Sequence, residues 1–141
     1  MSPLQALQRA LAGEHAALYV FGVLGGRVSA SHQPALEAAI IAAYTTHRAR
    51  RDRLTGMVRG AGGEPVAAEL SYQLPNPCRT AGQLRSAALT VERRCADVYA
   101  STVASTTDAD RRWAIDALTD CAVRQLSFGG APAPYPGLPE L

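Results

Sequence analysis

Residues 10–26 read ALAGEHAALYVFGVLGG, and the spacing inside this stretch decides the fold. Extended back to the N-terminus, Leu4, Leu7, Leu11, Glu14, Leu18, Phe21 and Gly25 recur in alternating steps of three and four, which is one helical seam. Every member is apolar or small except Glu14. A carboxylate on a face meant for the core is costly unless it is paired or metal-bound, so its partners must come from other segments.

Outward from that stretch the chain reads as helix throughout. Alanine is abundant, β-branched and aromatic residues are sparse, and alternating apolar runs are absent, which favours an all-α fold. Ser2 as N-cap and Pro3 at the first helical position start helix A, which spans about 2–28 and ends near Gly25-Gly26. Helix B, about 33–59, follows a cap among Ser31 to Gln33, with Pro34 in its first turn, and stops at Gly60. Its seam is Leu36, Ile40, Ala43, His47, Arg50, Leu54 and Met57. Helix C, about 80–105, opens with Thr80 and Gln83 in capping-box spacing and carries Leu84, Ala88, Val91, Cys95 and Val98, with Glu92 at the seam's edge. Helix D, about 108–128, is capped by Thr107 or Asp108 and halted by Gly129-Gly130. The Pro-rich tail, 129–141, is expected to be extended and to wrap the bundle end through Tyr135 and Leu138.

The segment from Gly62 to Arg79 holds Pro65, Pro75 and Pro77 and has no helical period. It is longer than an antiparallel helix hairpin needs. At roughly 3.3 Å per residue it is long enough to cross a bundle about 40 Å tall. The reading is a single domain over 1–141: an up-down four-helix bundle with a long crossover between helices 2 and 3, which makes B and C parallel.

Composition removes several classes of function. The net charge of +2 and the dispersed arginines argue against nucleic-acid binding. No apolar run approaches the roughly 20 residues that span a bilayer, so no membrane partner is expected. All 14 basic residues are arginine, which fits a GC-rich bacterial genome. The three cysteines, Cys78, Cys95 and Cys121, have no CxxC spacing, arguing against a disulfide framework and for a reducing compartment. With no basic segment followed by an uninterrupted apolar stretch at the N-terminus, the expected location is the cytoplasm. Cys95 and Cys121 are expected to face one another in the core as small hydrophobes.

Glu14, His47, Glu92 and Asp120 each fall near the midpoint of a helix. Midpoints share a level in a four-helix bundle, so the four side chains can meet in one layer, which is how bundles build cofactor and metal sites. Arg51 and Arg124 lie one turn beyond His47 and Asp120, where guanidinium groups oppose a cation and pair with carboxylates bidentately. Tyr19, Tyr44 and Tyr99 are placed to hydrogen-bond the same layer. His15, next to Glu14 but rotated about 100° from it, belongs at an interface or the surface. His32 reads as a turn residue. Gly22-x-x-x-Gly26 permits a close helix approach, within the bundle or across a dimer.

These residues carry a family resemblance. Glu14-His15 with its following aromatics, His47-Arg48 with Arg51, Glu92, the Thr119-Asp120-Cys121-Ala122-Val123-Arg124 run, the Tyr72-Gln-Leu-Pro-Asn-Pro loop and the Tyr135-Pro-Gly-Leu tail resemble an actinobacterial family of ferritin-like domains of unknown function. The resemblance implies a ferritin-like bundle and no particular activity. Di-iron members of that superfamily use one Glu on each of two helices and Glu-x-x-His on the other two. Glu14 and Glu92 match the single-Glu positions. Helix B instead reads Tyr44-x-x-His47, and helix D reads Asp120-x-x-Val123. Three carboxylates and one imidazole are too few for a conventional di-iron centre. The favoured reading is therefore a non-catalytic, homodimeric scaffold or binding domain in which an Arg–carboxylate network, with no cofactor, stands in place of the metal centre. One alternative is a metal-binding, oxidoreductase-type domain holding iron or manganese on Glu14, His47, Glu92 and Asp120. Another is a small-molecule binder, for which an unfilled pocket beside the polar layer would be the sign.

Overall fold

A computed structural model describes residues 1–137 of the chain. Four helices occur in order, α1 Pro3–Arg27, α2 Pro34–Gly60, α3 Ala81–Ser105 and α4 Asp108–Ser127, and no strand occurs among the described residues. None of these helices is long and apolar enough to cross a membrane.

Local chemistry sets the helix starts. At α1 the Ser2 Oγ accepts from the Gln5 amide at 3.2 Å, while Gln5 Oε1 accepts from the Ser2 amide at 2.8 Å, closing a reciprocal cap. At α3 the Thr80 Oγ1 accepts from the Gln83 amide, but Gln83 Oε1 turns to the Arg79 amide instead of completing the expected box. The start of α2 has no side-chain cap: Gln33 sits at the cap position, and Ser29 and Ser31 bond His32 instead. Thr107 likewise makes no cap bond at α4, where Asp108 and Asp110 supply negative charge to the first turn.

The helix directions follow from contacts along α1. The short turn after Val28 lays α2 antiparallel to α1. Arg27 at the end of α1 donates to the Pro77 carbonyl just before α3, and Gly13 faces Val98 late in α3, so α1 and α3 are antiparallel too. Helices α2 and α3 are therefore parallel, and the connection between them must travel the height of the bundle. It does so along α1. The Gln8 side chain bonds Glu64 O and Val66 N, the His15 ring bonds Val66 O at 3.0 Å, and Tyr19 packs on Tyr72 with centroids 5.6 Å apart. His15 thus anchors the crossover and stays out of the centre.

The core is a single cluster. Leu7, Leu11, Phe21 and Leu24 of α1, Ile40, Leu54 and Val58 of α2, Leu84 and Tyr99 of α3, and Phe128 after α4 are its large members. Small residues fill the rest, among them Ala43, Ala87, Ala88 and Ala117, which bring the helices close. Within the chain Gly22 and Gly26 do not form a close-approach pair: among the described residues only Tyr44 comes within 4 Å of a Cβ added at Gly22, and Gly26 has no neighbour within that distance.

The tail departs from expectation. It does not wrap the bundle end through Tyr135, which is 75% exposed. It runs back along α3: Gly129 sits by Arg85, Gly130 by Leu89, and Gly137 on the Ala96 carbonyl and Ala100. Gly137, which has no Cβ, fits against the small residues Ala96 and Ala100 of α3. Leu138 lies outside the described residues.

Candidate functional site

The midsection of the bundle holds a chain of buried polar groups. His47 of α2 is fully enclosed, with Nδ1 2.6 Å from Glu14 Oε2 of α1 and Nε2 3.0 Å from Glu92 Oε1 of α3. The Phe21 ring stacks on the imidazole at 5.3 Å and shields it. The second oxygen of Glu14 accepts a short hydrogen bond from the Tyr99 hydroxyl of α3. Burial by itself drives the imidazole toward its neutral form. The adjoining Glu14 charge and hydrogen bonds to both glutamates outweigh that, and its pKa is pushed up to about 10. With both ring nitrogens facing carboxylates, the imidazolium is the form that satisfies both contacts.

A second polar group joins α2 to α4. Arg50, buried on the seam one turn after His47, places Nη2 2.5 Å from Asp120 Oδ2 and donates from Nη1 to Cys121 Sγ at 3.2 Å. Its guanidinium carbon lies 5.5 Å from the centre of the Tyr99 ring. Burial disfavours the charge on Arg50, but its sulfur, phenol and carboxylate neighbours hold it firmly protonated. Arg124, one turn beyond Asp120, bonds that same carboxylate from Nε and Nη2, reaches Thr46 of α2 at 2.9 Å, and stands 3.9 Å from Glu92 Oε1. Among the described residues, Glu92 Oε2 is the buried side-chain oxygen left without a partner.

Glu14, His47 and Glu92 therefore meet in the interior, while Asp120 stands at its edge, its side chain 40% exposed, between two arginines. Two expected members are elsewhere. Arg51 points away from the layer and pairs with the exposed Asp52. Tyr44 is on the surface of α2, beside Gly22. The buried stripe of α2 passes through residues 43, 47, 50, 54 and 58, and positions 44 and 51 share the neighbouring stripe that faces out. Arg50 takes the place expected of Arg51, and its seam position was the sequence signal for it. Of the three tyrosines, Tyr99 enters the layer and Tyr19 packs on the crossover.

All three cysteines are free and buried. Contact with the Cys121 thiol, together with burial and the nearby Glu14 charge, pushes the Cys95 thiol well up, so it is held neutral. Burial likewise raises Tyr99, whose hydroxyl keeps its proton for Glu14.

This donor set does not fit a two-metal centre. Both oxygens of Glu14, both nitrogens of His47 and one oxygen of Glu92 are already engaged by protein groups, and the positions that would complete the two Glu-x-x-His pairs, one on α2 and one on α4, hold the exposed Tyr44 and Val123. The guanidinium groups of Arg50 and Arg124 stand beside Asp120 and Glu92, where their charge opposes a cation. A smaller set survives: Glu14, His47 and Cys95 offer ligand atoms within 4.8 Å of one another.

Residues 6–140 match the family described as a domain of unknown function, DUF4439. The chain belongs to that family. Among solved structures, it is similar to a conserved hypothetical protein, Rv2844, from Mycobacterium tuberculosis, at 30% identity and a TM-score of 0.83, over 90% of this chain and 94% of that one. It is also similar to a ferritin-like, diiron-carboxylate protein from Bacillus anthracis strain Ames, at 14% identity and a TM-score of 0.76, over 90% and 92% of the two chains. At that identity the second likeness speaks for the fold alone: this DUF4439 chain is a ferritin-like four-helix bundle. No curated protein matches it.

Proposed function

We propose that this DUF4439 domain is a non-catalytic scaffold or binding protein, in which His47, Arg50 and Arg124 supply the positive charge that a metal centre supplies in its di-iron neighbours. The observation that carries the reading is the position of His47, hydrogen-bonded on both sides by buried glutamates. Three carboxylates, from Glu14, Glu92 and Asp120, face one imidazolium and two guanidiniums, so the interior charge balances without an ion. Such a network ties all four helices at one level, the specifying role that buried polar groups can serve in a bundle.

Expression with added iron, manganese and zinc followed by elemental analysis tests this. The expected result is metal well below one equivalent per chain. A second reading draws support from the Glu14, His47 and Cys95 cluster, whose mixed oxygen, nitrogen and sulfur donors suit a single ion. It requires about one equivalent per chain, lost in both His47→Gln and Cys95→Ser.

Exposed apolar residues on α2 (Ile41, Tyr44) and on α4 (Ile115, Val123, Leu126) support a homodimer as the working form. Light scattering at micromolar concentration would give the mass of two chains. The reduced state of all three cysteines is compatible with a cytoplasmic location.

A further inference from the structure

A cavity of about 230 Å³ opens between α1, α3 and the crossover, with Cys95 in its lining. Its walls are small or branched apolar side chains: Ala16, Ala17 and Val20 on α1, Val91 and Val98 on α3. Gly13 adds width, because a Cβ there would meet Val98 only at 4.0 Å. The crossover closes one side through Tyr72, which is itself fixed by Tyr19 and by a hydrogen bond from the Glu69 amide at 2.8 Å. A cavity of 150 Å³ lined by apolar side chains takes benzene, so this one accommodates a hydrocarbon of about eight to ten heavy atoms.

One charged side chain lines the cavity. Arg94 is exposed at its edge, and among the described residues it makes no ion pair and no side-chain hydrogen bond. No carboxylate lines the cavity. The floor is the Cys95 thiol, a small apolar surface. Apolar walls that end at a guanidinium are complementary to a molecule with a short hydrocarbon body and an anionic end, and a guanidinium receives a carboxylate bidentately. A cation of the same shape would meet Arg94 with no opposing charge.

We infer that the space between α1, α3 and the crossover is a binding site for a small monocarboxylate with a hydrocarbon part of about six to eight carbons, its tail against Ala16, Val20, Val91 and Val98 and its carboxylate on Arg94. None of the side chains that would hold the tail or the carboxylate belongs to the charged network, so the inference stands apart from the metal-free reading; Cys95, in the floor, is the residue shared with the Glu14, His47 and Cys95 cluster.

The test uses the full chain with valine methyl groups labelled, titrated in parallel with sodium octanoate, octanol and octylamine and followed by methyl NMR. Octanoate is expected to shift Val20, Val91 and Val98 saturably and to bind more tightly than octylamine. Ala16→Leu, which fills the cavity from a half-exposed position, abolishes the shifts. Arg94→Gln weakens octanoate about tenfold and leaves octanol unchanged. Absence of a saturable shift overturns the inference, as does octanoate binding that is indifferent to Ala16→Leu or octylamine binding as well as octanoate. Arg94 is at the surface, so Arg94→Gln keeps the fold and the comparison decisive should Ala16→Leu destabilise the protein. Equal loss of octanoate and octanol in Arg94→Gln also counts against the inference, because it removes the carboxylate's role.

Discussion

His47 Nδ1 lies 2.6 Å from Glu14 Oε2, with both side chains sealed from solvent. Removing the imidazole leaves Glu14 and Glu92 facing one another in a dry interior without the cation between them. His47→Ala is expected to cost about 3–5 kcal/mol, the range for breaking a buried charged pair from one side. Urea denaturation gives the value. A loss under about 1 kcal/mol would mean that the two glutamates are not held by this histidine.

The same contact sets a pH dependence. The folded pKa of His47, about 10, lies above its ordinary value of 6.5, so the native state holds a proton that the unfolded chain releases between those values. Its stabilising contribution is complete below about pH 6.5 and is lost as pH rises toward 10. Stability should fall by about 1.4 kcal/mol per pH unit in the middle of that window. The raised Cys95 thiol and Tyr99 phenol add to the fall, in the same direction, only above pH ~9. Chemical denaturation at pH 7 and pH 8.5 isolates the His47 part. The slope should vanish in His47→Gln.

Adjacent arginines on α2 should behave very differently. Arg50 joins Asp120, Cys121 and Tyr99 from a buried position, so Arg50→Ala removes the tie between α2 and α4 and is expected to cost about 2–4 kcal/mol. Arg51 pairs with an exposed neighbour, and Arg51→Ala should change stability by less than about 0.5 kcal/mol. Thermal melts of the two variants side by side check the order.

That contrast shows what the sequence could resolve. Helix identity, helix order and the crossover were legible, because capping residues, 3.6-residue periodicity and loop length each have one physical reading. The polar residues at mid-height were legible for the same reason: Glu14 and His47 interrupt apolar seams. Which arginine turns inward was harder. Positions 50 and 51 lie roughly 60° to one side and 40° to the other of His47, so nearness to His47 alone does not separate them, although the seam that runs through Arg50 points to it. The position of α4 does, since Asp120 lies on the side of Arg50. That Tyr99, of the three tyrosines, enters the layer depends on the rotation of α3 against α1, and the path of the tail depends on contacts with Ala96 and Ala100 that leave no local pattern.

The tail offers a separate check. Gly137 has φ of +76°, and a Cβ there would stand 2.4 Å from the Ala96 carbonyl oxygen. Gly137→Ala should release the tail from α3 and lower the melting temperature as far as truncation after Gly130, but no further. A variant as stable as the parent chain would show that the tail contributes nothing to the bundle.

The central claim is that a protonated histidine stands between two glutamates where a metal would otherwise bring positive charge. Nitrogen-15 NMR of the His47 ring reads this directly. At pH 8 both ring nitrogens should carry protons, with a titration midpoint near 10. A neutral ring at pH 8, or one ring nitrogen shifted by a bound ion, would contradict it.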